Sequence, residues 1–256
     1  MVSTSTGTPR LAGRRAVITG SARGIGAEIA ATYRREGADL VLIDLDGDRL
    51  HDTASDLGAK AIVVDLSDAA ATAAAVSEAI GVLGGVDILV NNAGILQMAP
   101  ILEMDVDTWD RAFDVNVRSM FVTTQVAGRV MRDQPLLGTR RGTIVNMASM
   151  GGKLGGPNQA HYAASKAAVI SFTRVTAMEF GPHAVTANCI CPGYVLTEMG
   201  AATRTDEMVR TWSAKSPLGR LAQTTDVANM ALFLASDEAD YCTGQAMNVS
   251  GGMVMH

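Results

Sequence analysis

The chain has 256 residues, of which 48% are hydrophobic and only 4% aromatic, and its formal net charge is −5. This length and composition suit one large α/β domain with a core of aliphatic side chains. The weak acidic excess, without blocks of like charge, argues against nucleic acid or an anionic membrane as a partner. No apolar run is long enough to span a bilayer. We expect a disordered, Ser- and Thr-rich tail over residues 1–10 and a single domain over residues 11–256.

Apolar, β-branched runs alternate with helical stretches from residue 15 to the end of the chain. The predicted strands are Ala16–Thr19, Asp39–Asp44, Ala61–Asp65, Ile88–Asn91, Gly142–Met147, Ala184–Ile190 and Gln245–Val249. They are hydrophobic throughout rather than alternating, as expected for strands that helices cover on both faces. The predicted helices include Ile25–Glu36, Ala69–Leu83, Thr108–Met131, Tyr162–Phe180 and Thr225–Ala235. This order predicts an α/β protein, a three-layer, doubly wound Rossmann fold with a seven-stranded parallel sheet.

A glycine-rich loop, TGSARGIG, follows the first predicted strand and opens a helix. Gly20 permits a tight turn, Gly24 lets the backbone approach a pyrophosphate, and Gly26 lets the helix pack close to the strand. The helix N-terminus offers free N–H groups and the positive end of the helix dipole to phosphates. The spacing is not G-x-G-x-x-G. Its place after an apolar strand nevertheless predicts a dinucleotide site, with Arg23 and Ile25 in the same loop.

Asp44 closes the second predicted strand, 18 residues beyond Gly26. A carboxylate at this position can accept hydrogen bonds from both hydroxyls of an adenosine ribose, and it repels a 2′-phosphate. Leu45, the next residue, supplies no cation for such a phosphate, whereas Arg23 in the glycine loop could reach one. Because a carboxylate in direct contact outweighs a flexible arginine, the sequence predicts NAD(H) as the cofactor in preference to NADP(H).

The next two strand ends also carry polar residues. Asp65, with Leu66 beside it, follows the third strand and can hydrogen-bond the edge of an adenine. Asn92, Ala93 and Gly94 follow the fourth strand, where small residues and amides let the chain turn beneath a cofactor. Each segment alone is typical of an ordinary turn. Since ligands of such sheets bind at the carboxyl ends of the strands, we assign both segments to the cofactor site.

Tyr162 and Lys166 lie four residues apart on a predicted helix, and hence on one face of it. A phenol has a reference pKa of about 10, and a neighbouring ammonium group lowers that pKa. Tyr162 can then take a proton from an alcohol while a hydride leaves the carbon, or donate the proton in the reverse reaction. Ser149 follows the fifth strand, where its hydroxyl can bind the substrate oxygen. A Tyr-x-x-x-Lys pattern alone is common by chance.

Together with Asn116, Pro192 and Gly193, these segments resemble the short-chain dehydrogenase/reductase family in its single-domain type. The resemblance covers about residues 10–254. It implies a catalytic tetrad of Asn116, Ser149, Tyr162 and Lys166. In that tetrad Asn116 holds a water that links Lys166 to solvent, and Lys166 also binds the nicotinamide ribose. The nicotinamide end of the cofactor is implied to meet Pro192, Gly193, Val195 and Thr197.

The pattern is similar to that of the sugar-alcohol dehydrogenases of the family, which implies a polyol or other secondary alcohol as substrate. Two alternatives stay open. One is a 3-oxoacyl-thioester (acyl-carrier) reductase that uses NADP(H), against which Asp44 argues. The other is a non-catalytic dinucleotide-binding sensor, against which the complete tetrad argues. One departure from the family is Ser250, where an Asp is usual, and it bears on a local contact rather than on the chemistry.

The resemblance also implies a homotetramer built on the helices Thr108–Met131 and Tyr162–Phe180. Three cysteines, without the spacing of a disulfide or a zinc site, indicate reduced thiols in a cytoplasmic protein: Cys189, Cys191 and Cys242. No cluster of His, Cys, Asp or Glu has metal-ligand spacing, so no catalytic metal is predicted. The expected partner is therefore a small-molecule alcohol or carbonyl compound, without nucleic acid or membrane.

Some residues near the site invite other interpretations. His161 precedes Tyr162, but adjacent helix positions point about 100° apart. We therefore expect His161 at the surface where the helix begins, with substrate contact as the weaker alternative. Residues 196–216 are predicted to form a mobile lid. Adaptable apolar walls for the pocket are expected from Met98, Met150 and Met199.

Overall fold

Seven parallel strands form one sheet in the computed structural model of the protein, which describes residues 9–198 and 205–256. The strands are β1 Arg15–Thr19, β2 Asp39–Asp44, β3 Lys60–Val63, β4 Ile88–Asn91, β5 Gly142–Met147, β6 Val185–Pro192 and β7 Ala246–Val249. Their order across the sheet is β3-β2-β1-β4-β5-β6-β7. The strand order reverses between β1 and β4, so the predicted doubly wound sheet is confirmed.

The described helices connect the strands as the sequence predicted, and three of them, over Gly47–Leu57, Gly151–Leu154 and Asp206–Ser213, are additional. They are α1 Gly24–Arg35, α2 Gly47–Leu57, α3 Ala69–Leu83, α4 Val106–Phe113, α5 Ser119–Asp133, α6 Gly151–Leu154, α7 Ala160–Phe180, α8 Asp206–Ser213 and α9 Thr224–Ala235. The sequence analysis missed α2, because this polar helix buries only Leu50 and Ala54. Its start is nevertheless marked by Asp46, whose side chain caps the helix by accepting a hydrogen bond from Arg49 N.

Apolar side chains fill the space between the sheet and a helix layer on each face. α1, α2 and α9 cover one face, where Ile29 and Tyr33 are completely buried. Tyr33 Oη donates a hydrogen bond to Ala231 O at 2.9 Å, which joins α1 to α9. α3, α5 and α7 cover the other face, where Val76 and Met131 are completely buried. The three layers expected from continuously apolar strands are therefore confirmed.

A π-helical turn over Asp114–Arg118 interrupts the predicted helix Thr108–Met131 and separates α4 from α5. At its end Ser119 N donates to Asp114 O, the five-residue spacing of a π-helix. Asn116 lies inside this turn and is completely buried. Single π turns within α-helices are frequent at functional sites. The prediction of one continuous helix is wrong at the position where the family resemblance places a catalytic residue.

The described chain is ordered from before the predicted domain boundary. Arg10 N donates to Glu36 Oε2 at 2.9 Å, and the Arg10 guanidinium lies 2.6 Å from Glu238 Oε2. Residues 1–8 of the predicted tail lie outside the described residues. Arg10 therefore belongs to the folded part rather than to the tail. None of the helices in the described ranges is long and apolar enough to cross a membrane.

Candidate active site

A cleft of about 960 Å³ opens along the carboxyl edge of the sheet, where the strand order reverses. Most of the residues predicted for the cofactor and the chemistry line this one cleft. They are Gly20, Arg23, Gly24, Ile25, Asp44, Leu45, Asp65, Leu66, Asn92, Ala93, Gly94, Ser149, Tyr162, Lys166, Pro192, Gly193, Val195 and Thr197. Gly26 and Asn116 lie behind its wall. The sequence motifs therefore meet at one edge of the sheet, as the topology requires.

The glycine loop shapes the wall beneath one half of the cleft. Gly24 has a φ of +62°, which a glycine adopts without strain, and faces Thr197, whose nearest atoms are 3.8 Å from a Cβ built on Gly24. At Gly26 a Cβ would lie 2.1 Å from Gly20 O. Gly26 thus permits close packing behind the loop, while Gly24 leaves room in front of it. This agrees with the different roles predicted for the two glycines.

The N-terminus of α1 fits an anionic ligand. Its N-cap residue, Arg23, makes no side-chain capping hydrogen bond, so the first N–H groups of the helix point into the loop without a side-chain acceptor. Such groups, together with the helix dipole, favour phosphate. The first turn carries no acidic residue that would compete. The loop therefore fits the pyrophosphate of an NAD(P) dinucleotide.

Asp44 stands at the end of β2 with both carboxylate oxygens already oriented. Its Oδ2 accepts a hydrogen bond from Ala22 N at 2.9 Å, and its Oδ1 accepts from Leu45 N at 2.7 Å and from Asp46 N at 3.1 Å. A carboxylate offers about four lone-pair sites, so acceptor capacity is left for a ligand hydroxyl. The backbone thus holds a negative charge at the cleft, beside the glycine loop.

An ion pair that the sequence analysis missed connects the two sides of this half of the cleft. Arg49 Nη1, on α2, lies 3.1 Å from Glu198 Oε2, in the loop after β6. Both side chains are at least half exposed, so the pair contributes little to stability. No sequence signal pointed to it, because α2 itself was not predicted. Residues 199–204, the middle of the predicted lid, lie outside the described residues, and Met199 is among them.

Asp65 lies two residues beyond the end of β3, which stops at Val63 rather than at the predicted Asp65. Hydrogen bonds from the backbone and side chain of Ser67 lower the pKa of Asp65, with Ser67 N donating to Oδ1 at 2.9 Å. Its carboxylate therefore stays charged at neutral pH. The cleft beside it is also lined by Arg111, whose charge lowers the same pKa further.

Ser149, Tyr162 and Lys166 meet at the other half of the cleft. The Tyr162 and Ser149 side chains are hydrogen-bonded, and Ser149 Oγ also accepts from Gly151 N at 3.0 Å. Lys166 Nζ lies 5.8 Å from the centre of the Tyr162 ring. Burial raises the pKa of Tyr162, and the hydrogen bond to Ser149 offsets only part of that effect. This direction is opposite to the lowered pKa expected from the sequence, because desolvation of the phenolate dominates.

Lys166 is buried beneath the tyrosine. Its Nζ donates to Met147 O at 2.8 Å, and burial lowers the pKa of Lys166 from 10.5 to about 8. The ammonium form is therefore still the major species at neutral pH. Its Nζ is shielded from water and lies 5.8 Å from the centre of the Tyr162 ring.

Asn116 is anchored by its whole side chain. Its Oδ1 accepts from Ile95 N at 2.8 Å, and its Nδ2 donates to Ile95 O at 3.1 Å and to Ser165 Oγ at 3.0 Å. Gly94 separates it from Lys166, because a Cβ on Gly94 would lie 3.2 Å from both Asn116 Oδ1 and Lys166 Nζ. Asn116 thus joins the π turn to the loop after β4 and to α7, directly behind Lys166.

Several other residues of the cleft lining were not predicted. They are Met147, Leu154, Gln159, Tyr194, Lys215 and Met253. Tyr194 stacks on Trp212 of α8, with ring centres 4.7 Å apart, which fixes its ring beside the cleft. Met150 lines the cleft as expected, whereas Met98 is exposed and stands outside its lining. Only the packing of loops brings these residues together, so no local pattern could have indicated them.

The expectation of a surface position for His161 is wrong. The imidazole is 1% exposed, and neither ring nitrogen has a hydrogen-bond partner in the described part of the chain. The angle of about 100° between adjacent helix positions correctly predicted that His161 and Tyr162 point in different directions. The side of α7 that carries His161 is buried, however, together with Ser165 and Val169. It does not line the cleft.

Cys189 and Cys191 are buried on β6, Cys242 is partly buried, and all three are free thiols, as predicted. Within the described ranges, no three His, Cys, Asp or Glu side chains lie close enough to hold a metal ion. The site therefore consists of a glycine-rich loop and a carboxylate in one half, and a buried Ser–Tyr–Lys group in the other. This arrangement defines a dinucleotide-dependent oxidoreductase that acts on an alcohol or carbonyl group.

Comparison with known proteins supports this class. Residues 20–254 match the family model described as enoyl-(acyl carrier protein) reductase. A short-chain type dehydrogenase/reductase from Mycobacterium marinum has a solved structure that superposes with a TM-score of 0.89, at 34% identity, over 97% of this chain and 98% of that one. The chain belongs to the short-chain dehydrogenase/reductase family.

Relatives with different substrates are similar to it along their whole length. Sorbitol dehydrogenase and galactitol 2-dehydrogenase (L-tagatose-forming), both from Cereibacter sphaeroides, are 38% and 41% identical over 95% of this chain and 98% and 96% of their own. The 3-oxoacyl-[acyl-carrier-protein] reductase of Staphylococcus aureus is 36% identical over 94% of this chain and 98% of its own. The family and reaction class are therefore shown, and the substrate is a separate question.

Proposed function

We propose that this protein is an NAD(H)-dependent dehydrogenase of a polyol or other secondary alcohol, with Tyr162 as the general acid and base. The observation that carries the proposal is the hydrogen-bonded pair of Ser149 and Tyr162 above the buried Lys166. Similarity to two polyol dehydrogenases supports the substrate class. The negative charge of Asp44 beside the glycine loop supports NAD(H).

The dinucleotide, when bound, supplies the hydride acceptor or donor. In alcohol oxidation, Ser149 Oγ holds the substrate oxygen beside Tyr162 Oη, so that the hydroxyl proton can pass to the phenolate. The phenolate forms only if positive charge offsets its desolvation. Lys166 supplies that charge from behind the ring, since its pKa of about 8 keeps most of it protonated at neutral pH. In carbonyl reduction Tyr162 donates the proton instead.

The proton on Tyr162 must then reach solvent. We propose that Lys166 relays it and that Asn116 holds a water next to Lys166, as the family resemblance implies. The position of Asn116 in a π turn, behind Gly94 and Lys166, supports this role. All polar atoms of its side chain already make hydrogen bonds that fix the turn. The backbone of Asn116, rather than its side-chain amide, is therefore the part left to bind a water.

The direct test is NADH formation, followed by its absorbance, with NAD⁺ and a panel of polyols and secondary alcohols. Sorbitol and galactitol belong in the panel because they are named for the relatives. Turnover of a polyol supports the proposal. Binding of NADH without turnover of any alcohol or ketone in the panel would favour the dinucleotide-binding sensor instead.

Asp44→Asn is expected to shift the ratio of kcat/KM for NAD⁺ over that for NADP⁺ by about 100-fold toward NADP⁺, because it removes a charge that repels a 2′-phosphate at close range. Asparagine keeps one oxygen, which can still accept from Leu45 N and Asp46 N, whereas the hydrogen bond from Ala22 N to Oδ2 is lost. The measurement is steady-state kinetics with both cofactors. A wild-type enzyme that already prefers NADP⁺, or a ratio unchanged by the substitution, would contradict this role.

The acyl-thioester reductase remains the second candidate, and the similarity to the 3-oxoacyl-[acyl-carrier-protein] reductase of Staphylococcus aureus supports it. Oxidation of NADPH by a 3-oxoacyl thioester at a higher kcat/KM than any alcohol reaction would decide for it. The apolar lining of the catalytic half, with Leu154, Met150 and Met253, is compatible with an acyl chain. Asp44 is the feature that weighs against it.

We propose further that the protein is a homotetramer. Large apolar side chains on α4, α5 and α7 are 38–69% exposed, and an apolar face of this kind favours association. They are Trp109, Phe121, Val175 and Met178. Met178→Glu is expected to reduce the mass measured by light scattering to that of a dimer or monomer. A wild-type mass of one chain would refute the proposal.

The free thiols support a reducing, cytoplasmic location, and the single sheet supports one domain over residues 11–256.

A further inference from the structure

Lys153 lies on α6, the short helix that begins two residues after Ser149. It is partly buried, and its ammonium group donates hydrogen bonds to Ala246 O at 3.1 Å, to Asn248 Oδ1 at 2.8 Å and to His256 O at 2.8 Å. An ammonium group has three N–H donors. Its donors are therefore fully used on β7 and on the residues that follow this strand.

The residues after β7 fold back along it. Asn248 Nδ2 donates to Val254 O at 3.2 Å and to His256 O at 3.3 Å, from the strand to the returning segment. This segment brings Met253 to the lining of the cleft. Lys153 and Asn248 thus bind the segment at the same carbonyl group from two directions.

α6 is fixed at two further points. Gly152 lies so close to α7 that a Cβ on it would be 2.6 Å from the carbonyl carbon of Lys166. Met150 N donates to Pro192 O, at the end of β6, at 2.9 Å. These contacts hold one side of the turn that carries Ser149. The other side of α6 faces β7 and the returning segment. Among the hydrogen bonds of the described residues, only those of Lys153 connect α6 to these two elements.

We propose that Lys153 is a positioning residue, which holds the Ser149 turn and Met253 together as one wall of the substrate half of the cleft. The inference rests on the proposed function, because that function gives Ser149 the substrate oxygen to bind. Two of the acceptors, on Ala246 and Asn248, lie on β7, and the third, on His256, lies on the returning segment. Loss of these bonds frees α6 and the returning segment together, and both move relative to Tyr162.

The test compares Lys153→Met, which keeps most of the side-chain volume without the donors, with Lys153→Arg, which keeps charge and donors. Lys60→Met is the matched control, because Lys60 is exposed on the edge strand β3. Three quantities are measured: kcat and KM for an alcohol that the wild type oxidises, the Kd of NADH by fluorescence, and amide hydrogen exchange of residues 149–154 and 250–256.

We expect Lys153→Met to lower kcat/KM about tenfold, since small displacements of a positioned group cost this much or more. The Kd of NADH should stay within about twofold, because none of the three hydrogen bonds of Lys153 goes to the glycine loop or to Asp44. Exchange should accelerate in both segments together. Lys153→Arg should recover most of the activity, and Lys60→Met should equal the wild type. A merely structural lysine would lower Tm but leave kcat/KM per folded enzyme unchanged, and that result overturns the proposal.

If the wild type oxidises no alcohol, the proposed function fails and the exchange measurement decides this inference alone. Faster exchange in both segments then supports it, and an effect in one segment or neither overturns it. If Lys153→Met does not fold, Asn248→Asp replaces it in the same measurements. This variant keeps an acceptor for Lys153 but cannot donate to Val254 or His256. It should loosen the returning segment and raise KM; unchanged exchange and KM would overturn the proposal.

Discussion

Tyr162→Phe is expected to lower kcat by about 1,000-fold, the middle of the range for loss of a general acid–base group. The substitution removes one oxygen from a buried ring and leaves the ring itself in place. Proton transfer to or from the substrate then has no partner, while the hydrogen bond from Ser149 to the substrate oxygen can remain. The measurement is steady-state NADH formation at saturating NAD⁺, together with titration of NADH by fluorescence.

The Kd of NADH should change little in this variant, because the loss concerns the reaction step. Tyr241→Phe is the matched control: it makes the same chemical change at a fully exposed position. Retention of more than about one tenth of the wild-type kcat would rule out Tyr162 as the acid–base group. A parallel loss of NADH binding would instead indicate that the phenol acts through the cofactor site.

Lys166→Met is expected to abolish most activity and, at the same time, to raise the free energy of unfolding at pH 7. The pKa of Lys166 falls from 10.5 in the unfolded chain to about 8 in the native protein. Below pH 8 the lysine is protonated in both states, and burying its charge costs about 3 kcal/mol of stability. This cost disappears as the pH rises from 8 to 10.5, where the unfolded chain still binds the proton and the native state does not.

The difference in unfolding free energy between variant and wild type should therefore shrink by about 3 kcal/mol between pH 7 and pH 10.5. Chemical denaturation at several pH values measures this difference. At pH 7 the gain is smaller than that figure, because Met147 O loses its donor, at a cost of roughly 1 kcal/mol. A variant that is less stable than the wild type by the same amount at every pH would contradict the depressed pKa.

The sequence predicted the sheet well because a strand covered on both faces must be apolar throughout. Val17, Leu42 and Ile144, for example, are completely buried in β1, β2 and β5. The same signal failed for α2, which buries two side chains and otherwise faces solvent. Periodicity detects a helix by its apolar stripe, so a helix with a narrow stripe is missed even where a capping residue such as Asp46 marks its start.

The site was predictable where its residues are close in sequence, as Tyr162 and Lys166 are on one helix. It was not predictable where the wall of the cleft comes from distant loops. Met253 and Gln159 line the same cleft although they are far apart in the sequence. The direction in which the pKa of Tyr162 shifts also depends on burial, and burial cannot be read from the neighbouring charges in the sequence.

The π turn at Asn116 has a consequence for how this chain can vary. An α-helix advances by about 100° per residue, so the extra residue rotates α5 by roughly this angle relative to a helix that continued α4 without interruption. A single inserted residue therefore determines how α5 is rotated about its axis relative to α4. Removing one residue from Asp114–Arg118 would leave the length of the connection almost unchanged but would turn α4 about its axis, away from α7. Surface loops accept gaps of one residue, but this stretch of helix does not.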